Sequence, residues 1–301
     1  MTEFFAVFLN VIMPVFGIVA LGFLLAGRLE LQARTLTRIA YYVFVPAFIF
    51  QVISGAEIPL DSALKMILFI VFTHLLAAFI AGGVGRVLGK PKKMIAAFVM
   101  IAAFGNVGNY GLAVIRFRLG DISIAPASIY FVTISILAFV ICVGAAGWAN
   151  GGGKGAIWGV IKTPALWATI PALFVSFGEI QVPLMASRMI SLLSDAMIPA
   201  MLFSLGLQLH EQKYVSFSGE VFLASSIRLL LVPAVAFAVA IPFSLGEVEN
   251  AAGILQAGMP TAILVAIIAK ENNIVPDFVT SVVVVSTLAS LVTLTLLMVI
   301  L

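Results

Sequence analysis

The sequence predicts an all-α polytopic membrane protein: ten transmembrane helices in a five-plus-five inverted repeat, with broken helices 4 and 9 crossing. Three observations predict it. The chain is 63% hydrophobic and 10% charged, with mean hydropathy +1.22, whereas a soluble domain carries roughly 25% charged residues. Ten apolar stretches come close to the length of about 20 residues that a helix needs to cross a bilayer. Two of those stretches, at matching places in the two halves, are interrupted by helix-breaking residues.

The spans fall at about 4–26, 35–54, 64–87, 94–116, 122–148, 157–178, 189–209, 217–241, 247–270 and 276–300. They leave almost no sequence for a soluble domain. The first is too long for a cleaved signal peptide and has no basic segment ahead of it, so it is read as a retained span. The lone cysteine, Cys142, leaves no internal disulfide and no cysteine-based zinc site, so no metal is expected. A net charge of +3 is no nucleic-acid signal, and no nucleic-acid partner is expected.

The basic residues sort by loop. Of the 16 in the chain, eleven fall on one side: Arg28, Arg34, Arg38, Arg86, Lys90, Lys92, Lys93, Lys154, Lys162, Lys213 and Lys270. Lys65, Arg116, Arg118 and Arg188 fall on the other, and Arg228 lies inside the eighth span. The positive-inside rule then places both termini on the non-cytoplasmic side of the plasma (inner) membrane, and an even number of spans agrees in putting them on one side.

Val45-Pro46-Ala47-Phe48-Ile49-Phe50 in the second span matches Ile198-Pro199-Ala200-Met201-Leu202-Phe203 in the seventh, at an offset of 153. Near the same offset Ala103-Phe104-Gly105-Asn106 faces Ala257-Gly258-Met259-Pro260, and Pro126 and Pro276 open the fifth and tenth spans. The repeats are therefore 1–148 and 157–301, joined by a Gly-rich linker at 149–156. Five spans is an odd number, so the second copy enters from the opposite side. In such inverted repeats the site lies near the midplane, where interrupted helices meet.

The fourth span reads Gly105-Asn106-Val107-Gly108-Asn109-Tyr110-Gly111 at its interruption. Glycine weakens a helix by about 1 kcal/mol relative to alanine, and an amide needs partners that hydrocarbon lacks. The ninth span reads Gln256-Ala257-Gly258-Met259-Pro260-Thr261, and Pro260 breaks the helix because it has no N–H and clashes with the preceding turn. Two crossed breaks direct four half-helix ends inward. The N-terminal ends favour an anion and the C-terminal carbonyls a cation. No lysine, arginine or glutamate sits at either break, so the expected site is neutral in side-chain charge, with Asn106, Asn109, Gln256 and Thr261 as side-chain contacts.

This arrangement resembles the auxin efflux carrier family, which includes the plant PIN carriers and many bacterial members. The Gly-Asn-x-Gly-Asn-Tyr-Gly break and the Met259-Pro260-Thr261-Ala262 break carry the resemblance, and it extends over essentially the whole chain. It implies a fold similar to the bile-acid sodium symporters and the sodium/proton antiporters. It also implies a scaffold domain of helices 1, 2, 6 and 7, a transport domain of helices 3–5 and 8–10, and elevator-type movement of the crossover. Plant members export an indole carboxylate; bacterial members are associated with malate, malonate and other carboxylates. The chain departs from the plant pattern in lacking a long central loop. It also departs in having Asn106 without a proline in helix 4 and Pro260 without an asparagine in helix 9.

Other polar residues have two readings each. Asp195 either carries a proton as an intramembrane acid or lies near water at the end of its helix. Arg228 either attracts a carboxylate, pairs with an acid, or snorkels to an interface. His74 either titrates near neutral pH or is satisfied by a neighbouring helix. Pro46 and Pro199 either wall the site or simply kink their helices. Tyr130 and Thr133 serve helix packing at least as well as a ligand. The expected function is a secondary carrier of an organic anion, with Na+, H+ or no coupling ion. The alternatives are a bile-acid-type sodium symporter, a channel or a sensory membrane domain. No nucleotide-binding, zinc-hydrolase or serine-hydrolase motif is present, so no enzymatic activity or cofactor is expected. The expected partners are the organic anion and the bilayer, with a homodimer left open.

Overall fold

The computed structural model describes residues 2–55, 59–151, 164–178, 180–212 and 215–301. Most of the expected linker, the start of the sixth span, and Lys154, Lys162 and Lys213 lie outside them. In chain order the helices are α1 (Thr2–Arg28), α2 (Ala33–Ser54) and α3 (Leu60–Val87), then α4 (Lys92–Ala103), α5 (Leu112–Leu119) and α6 (Ile124–Asn150). There follow α7 (Pro164–Phe177), α8 (Leu184–His210) and α9 (Gly219–Phe243), then α10 (Glu247–Ala257), α11 (Ile263–Glu271) and α12 (Pro276–Ile300).

The chain is an all-α multi-pass membrane protein. Seven helices among the described residues are individually long and apolar enough to span a bilayer. The expected fourth and ninth spans are not single helices. Each is split into two half-helices, α4 with α5 and α10 with α11, because glycines and Pro260 interrupt them.

Prolines shape the long helices. Pro14, Pro46 and Pro233 each follow directly on a π-turn, at Phe8–Ile12, Ala40–Phe44 and Ile227–Leu231. A proline ring clashes with the carbonyl one turn earlier, and widening that turn relieves the clash. Pro199 follows the interruption of α8 between Asp195 and Met197. Pro46 and Pro199 thus stand next to irregular turns of their helices.

The helices pack in two sets. α1 lies along α8, and α2 packs on α7 and α8. Gly22 and Gly206 make the first contact possible: a Cβ on Gly22 would overlap the Phe203 carbonyl, and one on Gly206 the Val19 carbonyl. In lipid, where no hydrophobic effect drives helices together, such close backbone approach supplies the association. In the other set, α3 packs on α4, α6 and α9, while α12 packs on α9 and α11.

Candidate functional site

The two interruptions cross as extended, antiparallel segments, with Gly105 bridged to Thr261. The Asn106 N–H donates to the Pro260 carbonyl at 2.7 Å, and the Ala262 N–H donates to the Phe104 carbonyl at 2.9 Å. Phe104 (φ −122°, ψ 99°) and Ala262 (φ −68°, ψ 141°) leave the helical region to make this contact. The exchange satisfies two backbone pairs at a depth where water is scarce, which is what allows non-helical backbone there. It also leaves the last carbonyls of α4 and α10 without helical partners.

Arg228 supplies those partners. It lies in the π-turn of α9 ahead of Pro233 and is fully buried. Its Nη1 donates to the Ala102 carbonyl at 2.7 Å, Nη2 to the Ala257 carbonyl at 2.8 Å and Nε to the Met259 carbonyl at 2.7 Å. The expectation of a neutral crossover is therefore corrected. No charged residue is near the breaks in sequence, but a guanidinium from another helix stands against both. Gly105 is the residue that makes room for it, since a Cβ there would overlap Nη2.

On the other side of the crossing lies a cavity of about 270 Å³. Gly105, Asn106, Gly108 and Asn109 line it at the start of the second half of the broken helix, and Ala262 and Ile263 line it at the start of α11. The π-turn Val107–Gly111 that leads into α5, and the start of α11, thus both present a helix N-terminal end, with its partial positive charge, to one space. The Asn106 side chain is 4% exposed, and its Nδ2 has no hydrogen-bond partner.

The facing wall comes from α2 and α8: Thr37, Arg38, Tyr41, Tyr42, Met201 and Gln208. Gln208 Nε2 donates to Thr37 Oγ1 at 2.7 Å and to Ser204 Oγ at 3.1 Å, while its Oε1 is unpartnered. Sequence reading missed this wall and assigned Arg38 to a loop. The signal was the four-residue spacing of Arg34 with Arg38 and of Ser204 with Gln208, which puts each pair on one helix face. A second cavity of about 600 Å³ shares Thr37, Arg38 and Gln208 with the first and adds Arg34 and Lys270. The two cavities are therefore adjacent, and the second is bordered by basic residues.

The remaining candidates are distributed as follows. Gln256 is buried with both amide atoms unpartnered, close against Gly111, where a Cβ would overlap its Oε1. The Thr261 N–H donates to Ser286 Oγ at 3.1 Å, and its hydroxyl is unpartnered. Met259 contributes its carbonyl to Arg228, and Gly258 packs against Leu297. Tyr110 turns away from the cavity, its ring edge-on to Phe16 at 5.5 Å. Pro46 and Pro199 do not line the cavity. Asp195 is exposed and lines a separate cavity of about 310 Å³ with Gln51 and Arg116. His74 is fully buried, and its Nε2 is 2.6 Å from the Tyr130 hydroxyl, so a neighbouring helix satisfies that nitrogen. Thr133 faces an apolar crevice among α2, α3, α6 and α7. No cluster of metal-ligating side chains occurs among the described residues.

Comparison with known proteins points to membrane transporters. The family profile described as "Membrane transport protein" matches residues 153–298. An "Uncharacterized transporter" of Methanothermobacter thermautotrophicus is 29% identical over 289 residues, covering 95% of each chain. A "Putative malonate transporter" of Rhizobium meliloti is 23% identical over 301 residues, 95% of this chain and 93% of that one. "Auxin efflux carrier component 2" of Arabidopsis thaliana is 33% identical over 139 residues, which are 44% of this chain and 21% of the plant protein. The chain is thus similar over nearly its whole length to proteins named as transporters, and over part of it to auxin efflux carriers.

Proposed function

We propose that the chain is a secondary carrier that binds a small carboxylate in the crossover cavity and moves it by elevator-type alternating access. One observation carries this reading: two half-helix N-termini and Asn106, whose buried Nδ2 has no partner, line one cavity of about 270 Å³. Backbone N–H groups at helix starts bind carboxylates through hydrogen bonds and dipole together. The volume lies just below the usual range of about 300–1,000 Å³ for ligand pockets. A malonate- or malate-sized acid suits it better than a bulky one, and the Rhizobium relative carries malonate in its name.

In this reading the chain has ten spans in two inverted repeats, 1–148 and 157–301, with α4/α5 and α10/α11 as the broken pair. The two buried basic side chains among the described residues, His74 and Arg228, are 154 positions apart, close to the offset of the repeats, which supports it. The scaffold is α1, α2, α7 and α8, joined by the Gly22–Gly206 contact, and the remaining helices move as the transport domain. With the basic side cytoplasmic and both termini outside, the cavity opens inward through Arg34, Arg38 and Lys270. That vestibule attracts anions before they reach the site.

The test is a thermal-shift panel of mono- and dicarboxylates on purified protein, with sodium and with a bulky organic cation. A saturable upward shift with short dicarboxylates is expected. No shift with any carboxylate in either salt would overturn the reading.

A further inference from the structure

A buried, unpaired charge is costly, so the environment of Arg228 is informative. It is the largest fully buried side chain among the described residues. None of the three ion pairs among the described residues includes it. The groups that meet its charge are carbonyls at the C-terminal ends of α4 and α10, with Tyr130 and His74 nearby. Two helix C-termini together present partial negative charge equivalent to roughly one electron, and three charge-assisted hydrogen bonds fix the guanidinium among them.

Carbonyl oxygens gathered from two interrupted helices would otherwise make a site for a free metal or ammonium cation. We propose that Arg228 is the crossover's own cation. It permanently occupies the place a dissociable coupling cation would take, so the carrier needs no sodium there to hold the crossing together or to bind its anion. Three features argue for an arginine specifically. The planar fork reaches three acceptors at once, which an ammonium on a flexible stem does less well. Arginine stays protonated in proteins, so the charge is present at every step of a cycle. The chain also provides two fitted parts for it: Pro233, which follows the π-turn carrying Arg228, and Gly105, which clears space for Nη2. The nearby unpartnered oxygens of Gln256 and Thr261 are neutral and come with no carboxylate to recruit sodium.

The consequence for the anion rests on the carrier reading above; the position of the cation does not. Behind the crossing, the guanidinium cancels the negative helix ends, so the positive ends facing the cavity act on a carboxylate without opposition.

The experiment removes the tethered cation and offers a free one. The wild-type melting temperature should be the same in sodium and N-methylglucamine chlorides at equal ionic strength. Arg228→Ala, with no carboxylate present, should melt several degrees lower and recover most of that loss in guanidinium chloride at tens of millimolar. Equal urea, planar and of similar size but uncharged, should restore nothing. The proposal is overturned if urea restores as much as guanidinium, if neither restores anything, or if the wild type melts higher in sodium. Should Arg228→Ala not yield folded protein, Arg228→Lys decides. It keeps the charge and should fold and remain indifferent to sodium, whereas a sodium-dependent melting temperature in that variant would contradict the proposal. All these readings are taken without substrate, so a failure of the carboxylate assignment leaves them interpretable.

Discussion

Asn106→Ala should separate binding from stability. Nδ2 of Asn106 is buried without a partner, and leaving such a donor unpaired costs about 1–3 kcal/mol. When a carboxylate occupies the cavity, the same N–H gains a charge-assisted bond worth about 1.5–3 kcal/mol, a factor of roughly 10- to 150-fold in Kd. Alanine removes both terms. Asn106 is among the residues lining the cavity, so truncating it extends that cavity. The backbone bonds from the Asn106 N–H to Pro260 and from the Gly111 N–H to the Asn106 carbonyl persist. The ligand-free variant should therefore melt at or above the wild-type temperature, while its dicarboxylate Kd, measured by thermal-shift titration, rises at least tenfold. Unchanged affinity would refute the role of Asn106. A lower melting temperature matching the loss of affinity would show that the amide holds the crossing rather than the ligand.

Gly105→Ala puts a methyl group into the Arg228 guanidinium. Overpacking of this kind costs about 1–3 kcal/mol, and both melting temperature and anion affinity should fall, as calorimetry and titration would show. Gly206→Ala drives a methyl into the Val19 carbonyl at the α1–α8 contact; it should lower the melting temperature by a similar mechanism yet leave the carboxylate Kd unchanged. Arg38→Gln removes an exposed charge from the facing wall. Because such a charge is screened over about 10 Å at 0.1 M salt, anion affinity should fall most at low ionic strength, and its salt dependence should flatten.

Much of the site was legible because membrane helices tolerate few exceptions. Three glycines and two amides between residues 105 and 111, and a proline at 260, cannot continue a lipid-facing helix, so both interruptions and their meeting follow from the sequence. What escaped was whatever depends on rotation about an intact helix. Arg228 looked isolated because its partners are backbone carbonyls on two segments far away in sequence, and carbonyls leave no mark in a residue pattern. Pro46 and Pro199 were visible as a matched pair, but a proline acts on the turn before it. The wall of the cavity falls on Tyr41, Tyr42 and Met201 rather than on the prolines themselves. His74 and Tyr130 were weighed separately, although they form one buried pair.

Counterflow in proteoliposomes tests the central claim most directly. Vesicles loaded with unlabelled malonate and diluted into a trace of labelled malonate, with identical ions on both sides, report exchange through a single carboxylate site without any driving gradient. The wild type should accumulate label transiently above equilibrium in N-methylglucamine as well as in sodium, and Asn106→Ala should accumulate little. Accumulation by Asn106→Ala equal to the wild type, or none by the wild type with malonate or any other short dicarboxylate, would contradict the account.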